Sequence, residues 1–193
     1  MSENQKTKKI YIIVTQTGTI LSRILKRTTG AKYNHVSISL DSSLRTMYSF
    51  GRKYTYIPFL GGFVTESPFY GTFKRFSETE AVVIAVEVEE KIYYEMEKFL
   101  HTMYTYRMSY HYNYLGLLLA AFRICYKKPK HYYCSEFVKD MLVRFDIVEK
   151  GRFQDITQPI HFLNLAIGGV VYRGKLRCYD KWYKKLSKQI VKN

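Results

Sequence analysis

HYYCSEFVKDMLVRF, residues 131–145, is the most informative segment of this chain, because it combines a helical apolar pattern with a reactive side chain. Its apolar residues recur at the spacing of an amphipathic helix and share one face: Cys134, Phe137, Val138, Met141, Leu142 and Phe145. The segment therefore predicts a helix that packs on the core through this face. Cys134 lies in the first turn of that helix.

The predicted position of Cys134 favours the thiolate, which is the reactive form of cysteine. The first turn of a helix presents unpaired backbone N–H groups and the positive end of the helix dipole. The same N–H groups can hold the oxyanion that forms when an acyl carbon is attacked. Lys127, Lys128 and Lys130 add positive charge just before the helix. The pattern alone fits an inert cysteine equally well, because free cysteines are often buried.

A thiol nucleophile needs a proton acceptor, and the chain offers five histidines: His35, His101, His111, His131 and His161. Residues 33–40 alternate apolar and small polar side chains, which predicts a strand that fixes His35. Ser37 and Ser39 beside it would let a helix approach that face closely. His101 is expected on an exposed helix face, and His131 is a candidate loop base. Spacing does not choose among them.

Two segments together resemble the circularly permuted NlpC-type papain-like cysteine hydrolases. TGAKYNHVSISLD, residues 29–41, resembles the histidine strand of that family, and HYYCSEFV, residues 131–138, resembles its nucleophile helix. The histidine precedes the cysteine by 99 residues, and the Tyr-rich YHYN segment lies between them, as in the permuted group. The likeness covers most of residues 10–145. It implies that Cys134 is the nucleophile and His35 its base.

The resemblance also implies a third polar group, often a carboxylate, near the strand that follows the histidine. Residues 44–50, the predicted returning strand, contain no acid. The orienting role is therefore assigned to Glu66 or to a hydroxyl. Gln16, at the end of the first predicted strand, is a candidate oxyanion donor, and Tyr33 is a candidate wall of the substrate cleft.

The whole pattern predicts a single α+β domain over residues 1–193, with a permuted papain-like fold and a central antiparallel sheet packed on the nucleophile-bearing helix. Strands are expected at 10–16 and 81–88, and further helices at 19–30, 89–104 and 115–124. Residues 51–78 lack a clean period and predict a long cleft-forming loop. After Pro159 a short helix and two short strands are expected, followed by a basic amphipathic helix at about 180–191.

Composition limits the environment and partners of the chain. Three cysteines without paired close spacing argue against a disulfide framework or a zinc ribbon, and indicate reduced thiols in a cytoplasm. The sequence contains no run of about 18 apolar residues, so no membrane span is predicted. The net charge of +15 favours a polyanion or an anionic surface as a partner.

These observations predict a cytoplasmic thiol hydrolase of peptidase, amidase or acyl-transfer type, acting on an amide or ester without a cofactor or metal. Two alternatives stay open. The chain could be an inactive papain-like module, or a basic protein that binds nucleic acid or anionic lipid. The C-terminal basic helix is expected to dock its apolar side on its own domain, with binding to a lipid surface as the alternative.

Overall fold

A computed structural model describes residues 6–17 and 32–190 of the chain. Within these residues eight strands form one sheet in the order β7-β6-β4-β3-β2-β1-β5-β8. Only β6 and β7 pair in parallel. The strands are β1 (Thr7–Gln16), β2 (His35–Ser39), β3 (Met47–Tyr54), β4 (Ile57–Glu66), β5 (Glu80–Glu89), β6 (His111–Tyr112), β7 (His131–Tyr132) and β8 (Gly169–Lys175).

The helices lie on both faces of this sheet. They are α1 (Gly71–Arg75), α2 (Glu90–Thr105), α3 (Tyr114–Ala121), α4 (Cys134–Arg144) and α5 (Tyr179–Ile190), with short 3-10 segments that include Pro159–Asn164. The predicted α+β class with a mostly antiparallel sheet is confirmed at this level. The helix expected at 19–30 lies outside the described residues. No helix in the described part of the chain is long and apolar enough to cross a membrane.

The sheet separates two apolar cores, because neighbouring residues of each strand point to opposite faces. Val36 and Ile38 of β2 belong to the larger core, together with residues of α2 and α4. Ile13 of β1 belongs to the smaller core, with Phe73 of α1 and Tyr179 of α5. The predicted inner face of α4 is buried as expected: Cys134, Phe137, Val138, Met141 and Leu142.

The expectation of a long loop over residues 51–78 is wrong. Residues 47–66 form a β-hairpin, in which Phe50 pairs with Phe63, and residues 71–75 form helix α1. The tip of this hairpin carries large apolar side chains that are exposed, such as Tyr56 and Phe59. A strand shows alternating apolar and polar residues when one face is buried and the other is exposed. Apolar residues on the exposed face remove this alternation.

The C-terminal region also differs from the expectation. One strand, β8, and a 3-10 turn at Leu176–Cys178 replace the two predicted strands. Helix α5 packs on its own domain: Tyr179 is buried, and the Trp182 ring lies 5.2 Å from the Tyr179 ring and 5.3 Å from the Tyr172 ring of β8. The start of its apolar side is therefore covered by the protein itself, whereas Leu186, one turn after Trp182, is exposed.

Candidate catalytic site

The start of β2 is fastened to the end of β1, and this fixes the position of His35. The backbone N–H of Asn34 donates to the Thr15 carbonyl at 3.1 Å. The Asn34 side chain accepts from the Thr17 backbone N–H at 3.1 Å and donates to the Thr17 carbonyl at 3.2 Å. His35 then pairs with Thr15 in the β1–β2 ladder. The His35 ring thus extends from a stretch of backbone that is fixed by its contacts with the end of β1.

Glu66, the last residue of β4, reaches the His35 ring. Its Oε2 lies 2.8 Å from His35 Nε2, and both side chains are mostly buried. Because a carboxylate only accepts hydrogen bonds, Nε2 carries the proton and donates it to Oε2. The remaining ring nitrogen, Nδ1, is then the one available to a thiol.

Two buried serines complete the polar cluster around this pair. Ser37 Oγ donates to Glu66 Oε2 at 2.7 Å and lies 3.3 Å from His35 Nε2. Ser49 Oγ also lies 3.3 Å from His35 Nε2 and donates to the Val36 carbonyl at 3.1 Å. Glu66 Oε2 therefore accepts two hydrogen bonds from β2, which hold the carboxylate in one orientation.

Ser37 and Ser39 were expected to let a helix approach their face of β2, and helix α1 lies there: its Phe73 ring is 6.1 Å from the His35 ring. Ser39 also donates to the Thr46 carbonyl at 2.7 Å in the following turn. Helix α4 shares a core with Val36 and Ile38, which point to the other face. Small buried hydroxyls here satisfy polar groups, which would be costly to leave unpaired.

Cys134 begins α4 and is only 5% exposed. Ser135, beside it, donates to the Thr157 carbonyl at 2.6 Å, which anchors the first turn of the helix. Tyr133 is the N-cap residue and makes no side-chain capping bond in the described structure. The first-turn N–H groups are thus not taken by the Tyr133 side chain.

Cys134 and Glu66 act on the same imidazole. Burial has the largest effect on the pKa of His35 and lowers it, because it penalises the charged ring. The charge of Glu66, hydrogen bonding with Cys134 and Glu66, and the charge of Cys134 oppose burial and raise the pKa to about 10. The raised pKa therefore favours the imidazolium form of His35.

A cavity of about 60 Å³ opens beside the Cys134 thiol. It is lined mainly by aromatic and aliphatic side chains, among them Tyr33, Tyr112, Leu117, Ala121, Ile156 and Pro159. Burial, followed by the nearby Cys134, raises the pKa of the Tyr112 phenol, which keeps that hydroxyl protonated. The cavity suits a small apolar part of a substrate.

The wall formed by β3 carries unpaired positive charge. Burial, then the neighbouring Arg75, lower the pKa of the half-buried Arg52, and no carboxylate pairs with it within residues 6–17 and 32–190. Arg52 lines a groove of about 410 Å³ that also contains Lys53, Arg107 and Glu66. Arg52 pairs with Gly61 in the β3–β4 ladder.

Gly61 lies where the β3 wall that carries Arg52 approaches the cavity at Cys134. A Cβ at Gly61 would lie 2.7 Å from Tyr114 Oη and 2.8 Å from Tyr112 Cβ, so both tyrosines pack directly over the glycine. Tyr112 also lines the cavity at Cys134. The positive wall and the thiol are therefore separated by one aromatic side chain.

Four of the five sequence-predicted site residues meet here. Cys134, His35 and Glu66 form one cluster, and the buried Tyr33 lines the adjoining cavity. Gln16 does not: it pairs with Glu80 on the β5 side of β1 and does not line the cavity at Cys134. The strand end that carries Gln16 continues past the His35 pair, so its proposed contact with an oxyanion lacks support.

The other candidate bases have different partners. His131 Nδ1 lies 2.8 Å from the Pro129 carbonyl, and its ring centroid lies 5.0 Å from that of His111. His161 Nδ1 accepts from the Gln158 backbone N–H at 3.2 Å. His101 is exposed on α2.

Sequence reasoning missed Ser49, Tyr112 and Arg52 as members of the site. Ser49 could have been found, because a hydroxyl on the returning strand was already an alternative for the orienting group. Tyr112 and Arg52 are brought to the thiol only by the β3–β4–β6 pairing, in which Gly62 meets His111. No local pattern encodes that long-range contact.

Within residues 6–17 and 32–190, no group of three or more His, Cys, Asp or Glu could hold a metal ion. The three cysteines are free thiols. Comparison of the chain with models of protein families, with curated proteins and with solved structures finds no match.

Proposed function

We propose that this protein is a cysteine hydrolase or acyl transferase with a permuted papain-like fold of the NlpC type. Cys134 is the nucleophile, His35 the base and Glu66 the group that orients the imidazole. One observation carries the proposal: His35 Nε2 lies 2.8 Å from Glu66 Oε2, and, against the effect of burial, the pKa of the same ring is raised by Glu66 and by Cys134 at the start of α4. This arrangement matches nucleophile, base and orienting group in a thiol-based triad.

The reaction proceeds through an acyl-enzyme. The thiolate of Cys134 attacks the carbonyl carbon of an ester or amide, and the carbonyl electron pair moves to oxygen, where the first-turn N–H groups of α4 stabilise it. The C–O or C–N bond then breaks, and the leaving group takes the proton of His35. Water, deprotonated by His35, attacks the thioester and restores the thiol pair. If an amine or alcohol attacks instead, the product is a transferred acyl group.

The surroundings of the thiol favour a particular kind of substrate. The small apolar cavity accommodates part of an acyl group. The unpaired Arg52 on the other side of Tyr112 favours a negatively charged group on the substrate. The substrate is accordingly an acyl compound with an anionic substituent near the bond that breaks.

Alkylation of the folded protein with iodoacetamide tests the nucleophile, with the exposed Cys125 and Cys178 as internal controls. Each cysteine is followed by peptide mass spectrometry at slightly acidic pH. We expect Cys134 to react fastest although it is buried, because His35 stabilises its thiolate. The His35→Asn variant should lose this advantage. If Cys134 reacts more slowly than both exposed cysteines, the hydrolase proposal is wrong.

A second experiment tests the acyl-enzyme. Incubation with a p-nitrophenyl ester should release a burst of p-nitrophenol equivalent to the protein, and add the acyl mass to the peptide containing Cys134. Cys134→Ala should abolish the burst, whereas Cys178→Ala should retain it. A burst that survives in Cys134→Ala would assign the chemistry to another residue.

A further inference from the structure

The β3–β4 hairpin ends in large apolar side chains that the protein does not cover. Phe59 is 80% exposed and Tyr56 is 78% exposed, and Ile57 between them is also exposed. Single exposed apolar residues are common on protein surfaces, but a cluster of aromatic and aliphatic side chains on one protruding tip marks an interaction site.

Helix α3 adds a second group of such residues. Leu118 is 61% exposed and Phe122, just after the helix, is 71% exposed. The adjacent side of the same helix, with Leu117 and Ala121, lines the cavity at Cys134. A helix that is apolar on all sides is normally surrounded by apolar material, whereas a helix facing water carries polar residues outside.

The two groups belong to elements on the β7–β6–β4 side of the sheet. Gly62 of β4 pairs with His111 of β6, and Gly61 lies against Tyr114, the first residue of α3. We call this surface the apolar edge and define it by its most prominent members: Tyr56, Ile57, Phe59, Leu118, Phe122 and Ile124.

The chain segments that form the apolar edge contain no acidic residue. Residues 42–65 and 98–135 together contain nine Lys or Arg and no Asp or Glu, although the chain has 16 acidic residues elsewhere. Arg123 follows Phe122 directly, Lys127 and Lys128 come shortly after it, and all three are exposed. Exposed apolar groups are therefore combined with positive charge.

We propose that the apolar edge docks on the surface of an anionic lipid bilayer. The aromatic and aliphatic side chains enter the boundary between headgroups and acyl chains, while the surrounding Lys and Arg pair with lipid phosphates and carboxylates. A second copy of the chain is a poorer partner, because pairing two such faces would bring like charges together. Nucleic acid is also a poorer partner, because Ile57, Leu118 and Ile124 find no apolar counterpart on a phosphate backbone.

Docking of the apolar edge is independent of the proposed chemistry at Cys134. It requires only the exposed side chains and the charge around them. Because α3 separates the apolar edge from the cavity, docking would bring the mouth of the cleft close to the bilayer. Thiol reactivity measured without vesicles reports on the chemistry alone, so the two proposals fail separately.

Cosedimentation with lipid vesicles tests the proposal. The wild-type protein should bind vesicles of phosphatidylcholine mixed with phosphatidylserine, and bind pure phosphatidylcholine weakly. The double variant Phe59→Ser/Phe122→Ser should bind the mixed vesicles at least about tenfold more weakly than the wild type does. Leu186→Ser is the matched control, because Leu186 is an exposed apolar residue, 39% accessible, on the basic helix α5 near the opposite edge. Both variants should keep the circular dichroism and Cys134 reactivity of the wild type.

The site of insertion is tested separately with tryptophan fluorescence. Trp182 is the only tryptophan and packs on β8. Brominated lipids should quench Phe59→Trp in a Trp182→Phe background, and leave the wild-type fluorescence nearly unchanged. Equal vesicle binding by the double variant and the wild type would overturn the proposal, as would loss of binding in Leu186→Ser alone. If the wild type forms dimers in solution and Phe59→Ser dissociates them, the surface binds a second copy of the chain instead.

Discussion

Ser37 Oγ donates a hydrogen bond of 2.7 Å to Glu66 Oε2, the same carboxylate oxygen that lies 2.8 Å from His35 Nε2. One residue of β2 thus positions the group that orients the histidine two residues before it. Because Ser37 is fully buried, no water competes for this bond.

Ser37→Ala should therefore weaken the site more than the fold. The variant loses one of the two hydrogen bonds that fix Glu66, so the imidazole is held less well toward Cys134. We expect alkylation of Cys134 to slow by about tenfold, since a buried hydrogen bond to a charged group contributes about 1.5–3 kcal/mol. Peptide mass spectrometry of the alkylated protein measures this rate.

Ser39→Ala is the matched control, because Ser39 is an equally buried serine on the same face of β2. Its hydroxyl donates to the Asp41 and Thr46 carbonyls rather than to Glu66. We expect a loss of about 1–3 kcal/mol in the free energy of unfolding with an unchanged alkylation rate. Equal slowing in both variants would mean that Ser37 acts on stability alone.

Glu66 shows how far the sequence could predict this cluster. An acid was needed near His35, residues 44–50 have none, and Glu66 is the first acid after that segment. The structure brings its carboxylate to the ring because Met47 pairs with Glu66 across the β3–β4 hairpin. That hairpin was not predicted, so the choice of Glu66 rested on elimination, without a structural reason.

Gly51→Ala tests the packing behind Glu66. A Cβ at Gly51 would lie 3.1 Å from Glu66 Oε1 and 3.8 Å from His35 Cε1, so the carboxylate must shift by a few tenths of an ångström. We expect Cys134 alkylation to fall up to about tenfold, because small displacements of catalytic groups are costly. The free energy of unfolding should change little, because the lower entropy of the unfolded chain with alanine offsets the cost of the close contact with Glu66.

Gly151→Ala provides the control for Gly51→Ala. No atom lies within 4 Å of the position that its Cβ would occupy. The alkylation rate of this variant should equal that of the wild type. A Gly51→Ala protein that reacts as fast as Gly151→Ala would show that Glu66 has freedom to move without consequence.

The apolar edge and Arg52 mark the limit of what the sequence alone could predict. Periodicity identifies a strand or helix through its buried face, and it succeeded for α4 and for β5. The β3–β4 hairpin exposes apolar residues, so its pattern does not separate inside from outside. The surroundings of Arg52 depend on Tyr112 and Tyr114, about 60 residues further along the chain.

The pKa of His35 predicts how stability depends on pH. The folded protein holds the His35 proton with a pKa of about 10, against an ordinary value of 6.5. A raised pKa means that the folded state binds this proton more tightly than the unfolded state. The stability gained from it is complete below pH 6.5 and is lost as the pH rises toward 10. In this window the free energy of unfolding should fall by about 1 kcal/mol per pH unit.

Glu66→Gln isolates this effect from other titrating groups. Without the carboxylate, the largest influence that raises the His35 pKa is removed, while burial still lowers it. Urea unfolding at several pH values should show that the stability advantage of the wild type over Glu66→Gln is greatest near pH 6.5 and shrinks toward pH 10. A constant difference across this range would contradict the ion pair.

From the unpaired charge of Arg52 we expect negatively charged reagents to be favoured at Cys134. Two alkylating reagents of similar size test this without a known substrate. Iodoacetate carries a negative charge and iodoacetamide is neutral, so the ratio of their rates at Cys134 reports the local potential. Arg52→Gln should lower this ratio about fivefold, because removing a nearby unit charge changes the interaction energy by about 1 kcal/mol.

Lys53→Gln is the control for Arg52→Gln, because Lys53 is the next residue of β3 and lines the same groove. Its side chain lies over Gly62 rather than over the tyrosines beside Cys134, since a Cβ at Gly62 would meet Lys53 Cε at 2.6 Å. Lys53→Gln should therefore change the ratio much less than Arg52→Gln. Equal effects of the two substitutions would mean that the overall positive charge attracts iodoacetate. An unchanged ratio in Arg52→Gln would remove the basis for an anionic substrate.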